Sequence, residues 1–144
     1  YKDYTDLALA LESIRRRWPG AEVLATCATG GRPDMALSVL GLLAGYEGAP
    51  VWIAEDKVVA RILHAGESWT IEGTEGKTFS IIAIAPGTVV SEHGLEWELD
   101  HSPLGLLADT GISNVVRSTA TIQVHQGVAI GFLLREGFIG TGLN

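Results

Sequence analysis

A change of hydrophobic period near Asp56 limits the folds open to this chain more than any other feature. Upstream of it, Leu7, Leu11, Ile14 and Trp18 recur at helical spacing, Thr5 can cap the first turn, and Pro19-Gly20 stops the run. The spacing predicts a helix from Thr5 to about Arg17. A short apolar run, Ala21 to Thr26, reads as a buried strand, and Gly30-Gly31 turns the chain into a second helix from about Pro33 to Gly45. Leu37, Leu40 and Leu43 fall on or near its buried side, and Val51 to Glu55 resumes as a strand. Helix, strand, helix, strand with short connections predicts a parallel α/β sheet.

After Asp56 the helical period disappears. Short β-branched segments cut by glycine follow: Val58 to Leu63, Trp69 to Glu72, Thr78 to Ala85, Thr88 to Ser91, Leu95 to Leu99, Ala120 to His125 and Val128 to Leu134. Regular short strands of this kind predict an antiparallel sandwich or barrel, with Gln126-Gly127 as a hairpin turn. The expected organisation is therefore a partial parallel, Rossmann-like α/β domain over residues 1–55 and an antiparallel β-sandwich over residues 56–144. Two strands and two helices are too few to complete a sheet of the first class, so further strands are expected upstream of Tyr1.

Charge narrows the partners. At a formal net charge of -7 the chain repels polyanions, which argues against nucleic acid and against anionic membranes. A small anionic ligand accompanied by a metal ion remains compatible. The single cysteine, Cys27, excludes an internal disulfide and a cysteine-based zinc site, and it reads as a buried, inert thiol at a strand end. No apolar run reaches the roughly 20 residues that span a bilayer, and a cytoplasmic setting is expected.

Four clusters could carry chemistry. Lys2-Asp3-Tyr4-Thr5-Asp6 gathers an ammonium and carboxylates at a helix start, which suits a cap, an anion or a hard metal. Gly30-Gly31-Arg32-Pro33-Asp34 follows a strand and opens a helix, the position where open α/β sheets hold ligands; it is equally the composition of an ordinary turn. Gly94-Leu95-Glu96-Trp97-Glu98-Leu99 places Trp97 either in a core or as a face for an organic cation. Gly111-Ile112-Ser113-Asn114 is a turn composition whose side chains can also hydrogen-bond a heteroaromatic edge.

Taken in order, Lys-Asp-x-Thr-Asp-Leu, Gly-Gly-Arg-x-Asp, Gly-Leu-x-Trp-x-Leu and Gly-Ile-Ser-Asn resemble thiamine pyrophosphokinases from Lys2 to about Leu134. The resemblance implies transfer of pyrophosphate from ATP to the hydroxyethyl group of thiamine, with Mg²⁺ as cofactor. It also implies a homodimer with thiamine between the α/β domain of one chain and the sandwich of the other. By resemblance, Asp6 is a Mg²⁺ ligand, and Asp6, Arg32 and Asp34 are catalytic. Lys2, Arg32 and Asp34 lie at ATP, and Trp97, Ser113 and Asn114 hold thiamine. The family carries Asp-Gly-Gly and Gly-Asp-Phe-Asp-Ser-like stretches before the position matching Lys2, so these 144 residues are expected to lack a complete kinase site. Pro33 and Met35 depart from the family's aliphatic residue and histidine.

Two alternatives belong to other classes: a module that binds thiamine or dimerises without transfer, and a purely structural β-sandwich dimer. His64, His93, His101 and His125 show no metal-ligand spacing, and Arg15-Arg16-Arg17 at a helix end complements its dipole.

Overall fold

The computed structural model describes residues 4–135. Two helices, α1 (Asp6–Arg17) and α2 (Pro33–Ala44), alternate with the first two strands, β1 (Val23–Thr26) and β2 (Val51–Ala54). Seven strands follow: β3 (Val58–His64), β4 (Ser68–Ile71), β5 (Thr78–Ala83), β6 (Thr88–Leu95), β7 (Leu99–Leu104), β8 (Asn114–Gln126) and β9 (Val128–Leu134). The described chain is thus mostly β-sheet with two helices.

Thr5 caps α1, its side chain accepting from the Ala8 amide, and Pro33 opens α2 where a missing N–H costs nothing. Strands β1 and β2 pair in parallel, β2 and β3 antiparallel, and the sheet continues through β9, β5, β8 and β6 to β7, with β4 added on β8. Strand β8 joins the two ends of this order. Its first residues pair with β5, and the rest of its length with β4 and β6.

Period-two alternation on the shared strands produces two cores. Ala60 and Ile62 of β3 and Ile130 of β9 pack toward the helices, with Leu11, Leu43, Tyr46, Val51 and Ile53. Leu63, Ala129 and Leu133 of the same strands pack the other way, against Phe79, Ile81, Val90, Val116, Ile122 and Val124. Burial of each larger apolar side chain in these cores contributes roughly 1.5–3 kcal/mol, so the strands with two apolar faces anchor the molecule.

Several sequence expectations need correction. Leu95 to Leu99 is not a strand: Leu95 ends β6, Leu99 begins β7, and Trp97 lies on the turn between them. The strand missed was β7, whose Asp100, His101, Ser102 and Pro103 lack apolar alternation. It is the last strand of the order, and an edge tolerates proline and polar residues. Gln126-Gly127 does not form a hairpin, because β8 and β9 do not pair; the chain leaves β8 there and enters between β3 and β5. Leu37 is 61% exposed and Trp18 lies past α1 on the surface, so neither is core. Cys27 is exposed, at φ +52°, and is not a buried thiol.

Candidate functional site

The turn from β6 to β7 and the segment leading into β8 meet through one side chain. Asn114, 4% exposed, accepts at Oδ1 from the Trp97 amide at 3.1 Å and donates from Nδ2 to the Trp97 carbonyl at 2.6 Å. Its Oδ1 also accepts from the Val115 amide at 2.9 Å. Trp97 is thereby fixed at its backbone while the residue as a whole stands 63% exposed. An indole face held outward by its backbone is preformed for a flat or cationic ligand.

The two glycine motifs owe their glycines to close approach. A Cβ at Gly94, at φ +78°, would lie 2.2 Å from the Thr119 carbonyl oxygen, and one at Gly111 would lie 2.5 Å from Ile81 Cγ2. Gly111 also accepts at its carbonyl from the Ile81 amide at 2.8 Å, which seats the motif on β5. Ser113 follows in the left-handed region at φ +60°, exposed, with its amide donating to Ser80 Oγ at 3.0 Å. Glu98 accepts from the Gly94 amide at 2.7 Å across the base of the turn, and this bond holds its carboxyl below the ordinary range.

A recess of about 90 Å³ lies between these segments, lined by Glu92, Trp97, Leu99, Thr110, Gly111, Ile112 and Asn114. Sequence reading missed Glu92. It is 0% exposed, and neither carboxylate oxygen has a hydrogen-bond partner among the described residues. Removal from water pushes its carboxyl up to about 7. No sequence signal marks it, because a glutamate between Ser91 and His93 reads as a solvated strand position.

The N-terminal clusters lie apart from this recess. Asp6, in the first turn of α1, lines a separate cavity of about 180 Å³ with Thr5, Met35, Ser38 and others. Arg32, the N-cap of α2, is paired with Asp34: Nε donates to Oδ1 at 3.1 Å and Nη2 to Oδ2 at 2.5 Å. Both side chains are exposed, and the guanidinium holds the Asp34 carboxyl below its usual range. Lys2 lies outside the described residues. Among the described residues no group of three or more histidine, cysteine or acidic side chains is arranged to hold a metal. Among the described residues Asp6 is the only carboxylate lining its cavity, whereas Mg²⁺ takes six oxygens, so the described residues do not by themselves form a Mg²⁺ site.

Glu55, also missed, organises the approach to Arg32. Its Oε1 accepts from the Ala28 amide at 2.9 Å, the Thr29 amide at 3.1 Å and the Thr29 hydroxyl at 3.1 Å, just before Gly30-Gly31. These bonds, the Ala28 amide first, lower its pKa.

Among the described residues, fold and recess together define a β-rich architecture with two helices and a small recess of mixed polarity beside an exposed tryptophan. Residues 68–129 match the family model described as "Thiamin pyrophosphokinase, vitamin B1 binding domain". That segment contains the whole recess. No curated protein matches the chain in sequence.

Solved structures agree in fold. Thiamine pyrophosphokinase from Bacillus subtilis superposes at a TM-score of 0.76 and 22% identity, over 94% of this chain and 65% of that one. The Geobacillus thermodenitrificans thiamin pyrophosphokinase gives 0.78 and 22%, over 96% and 65%. The Candida albicans thiamin pyrophosphokinase gives 0.65 and 13%, over 78% and 44%. The chain therefore spans about two thirds of the length of the two bacterial kinases. No helix among the described residues is long and apolar enough to cross a membrane.

Proposed function

We propose that this chain supplies the thiamine site of a cytoplasmic, homodimeric thiamine pyrophosphokinase. In this reading residues 1–55 are a partial Rossmann-like ATP-binding domain and residues 56–144 a thiamine-binding β-sandwich. The observation that carries it is the clasp of Asn114 on both backbone groups of Trp97, within the segment that matches the vitamin B1 binding family model. Trp97 stacks on the ligand, Ser113 donates or accepts at a ring edge, and Asn114 acts as a positioning residue through Trp97.

In the whole reaction the thiamine hydroxyl oxygen bonds to the β-phosphorus of ATP. The bond from that phosphorus to the oxygen bridging to the α-phosphate breaks, and AMP leaves with the electron pair. Catalysis of this kind rests on alignment and charge neutralisation. In this reading Arg32 and Lys2 would neutralise the phosphates. Asp34 is a weak proton acceptor while Arg32 holds it, so the pair opens before Asp34 takes the alcohol proton. Asp6 would supply one carboxylate toward Mg²⁺, which would neutralise phosphate charge.

A second reading, thiamine binding without transfer, is favoured by the same ion pair, because in this structure Arg32 is committed to Asp34. Titration calorimetry with thiamine, on the wild type, Trp97→Ala and Ser113→Ala, tests the binding claim. Saturable binding that both substitutions abolish is expected, and binding that survives both refutes the site. AMP release from Mg²⁺-ATP and thiamine separates transfer from binding alone.

A further inference from the structure

Glu92 occupies a position built for an apolar side chain. It lies on β6 between Leu99 of β7 and Ile122 of β8, two residues along from the fully buried Val90. A buried carboxyl without a partner is costly, and buried polar groups in folded proteins are nearly always hydrogen-bonded. Both Glu92 oxygens lack a partner among the described residues, and the recess it lines is the one capped by Trp97. The other side chains of that recess, apart from Thr110 and Asn114, are apolar, and Asn114 is engaged with Trp97.

We infer that Glu92 is a specificity-determining residue that hydrogen-bonds the edge of an aminopyrimidine ring entering the recess beside Trp97; this rests on the thiamine reading above. The chemistry matches edge to edge. A carboxyl group presents a carbonyl oxygen and a hydroxyl side by side, and an aminopyrimidine presents an amino donor beside a ring-nitrogen acceptor. The amino N–H donates to the carbonyl oxygen, and the carboxyl O–H donates to the ring nitrogen. Burial keeps the neutral carboxyl available near pH 7. The volume fits the same role: about 90 Å³ admits one ring edge, whereas a whole ligand of drug size takes roughly 300 Å³ or more. The rest of the molecule then lies outside, against the exposed Trp97 indole and near Ser113.

The test compares two ligands by calorimetry: thiamine, and a benzyl thiazolium with phenyl in place of the aminopyrimidine. A wild type that prefers thiamine by about tenfold or more, a preference lost in Glu92→Leu and restored in Glu92→Gln, is the expected result. The leucine variant removes a buried unpaired carboxyl, so loss of fold does not explain loss of preference, and a circular dichroism melt confirms it. If Glu92→Leu keeps the preference within about threefold, or the wild type shows none, the assignment of Glu92 is overturned while the thiamine site stands. A wild type that binds neither compound overturns the thiamine reading and this inference with it.

Discussion

Glu92 makes the stability of this protein depend on pH in a direction opposite to that of ordinary surface carboxylates. In the unfolded chain its carboxyl titrates near the usual 4.5, and in the folded protein near 7. Between these values the folded state holds the proton more tightly than the unfolded state, so stability falls as pH rises. Its contribution is fully present below about 4.5 and is lost as pH rises through 7. One pKa unit corresponds to about 1.4 kcal/mol, so the whole window amounts to roughly 3 kcal/mol, a large share of a typical folding free energy.

Glu92→Gln keeps the shape and removes the titration. Urea denaturation of both proteins from pH 4 to pH 8.5, read as the difference between them, isolates this one group. Asp34, Glu55, Glu98 and Asp100, whose pKa values are lowered, titrate in both proteins and cancel. The variant is expected to gain about 3 kcal/mol on the wild type between pH 4 and pH 8. A difference that stays flat over that range refutes the reasoning and places Glu92 in water. Saturating thiamine, in turn, is expected to reduce the wild type's loss of stability at pH 7, because ligand binds only the folded state.

Other substitutions test the frame around the recess. Asn114→Ala strands the Trp97 amide and carbonyl and is expected to cost about 1–3 kcal/mol, read by urea denaturation. Gly111→Ala drives a methyl group into Ile81 and is expected to cost about 1–3 kcal/mol by thermal melting, whereas Gly76→Ala meets nothing within 4 Å and carries only backbone strain. Glu55→Ala frees the Ala28 and Thr29 amides, and faster amide hydrogen exchange at those two positions is expected, with little change in β8. In the wild type the same exchange protection should hold above pH 4.5 and fade as pH falls and Glu55 protonates, since its pKa is lowered.

What the sequence determined by itself was local. Period and capping identified both helices, because Thr5, Pro19-Gly20 and Pro33 act within a turn or two of chain. Alternating β-branched runs marked most strands, and the ordered motifs led to the family that the vitamin B1 binding model supports over residues 68–129. Tertiary structure decided what depends on contacts distant in sequence. The edge strand β7 carries polar residues and a proline that no periodicity flags, and β9 pairs with β3 and β5 rather than with its neighbour β8. The site divides the same way: Trp97 and Asn114 were legible as residue types, but their clasp spans 17 positions. Glu92 became visible only once β7, β8 and the loop before it closed over a carboxyl, since burial and the lack of a partner are properties of the packed chain and not of the residue.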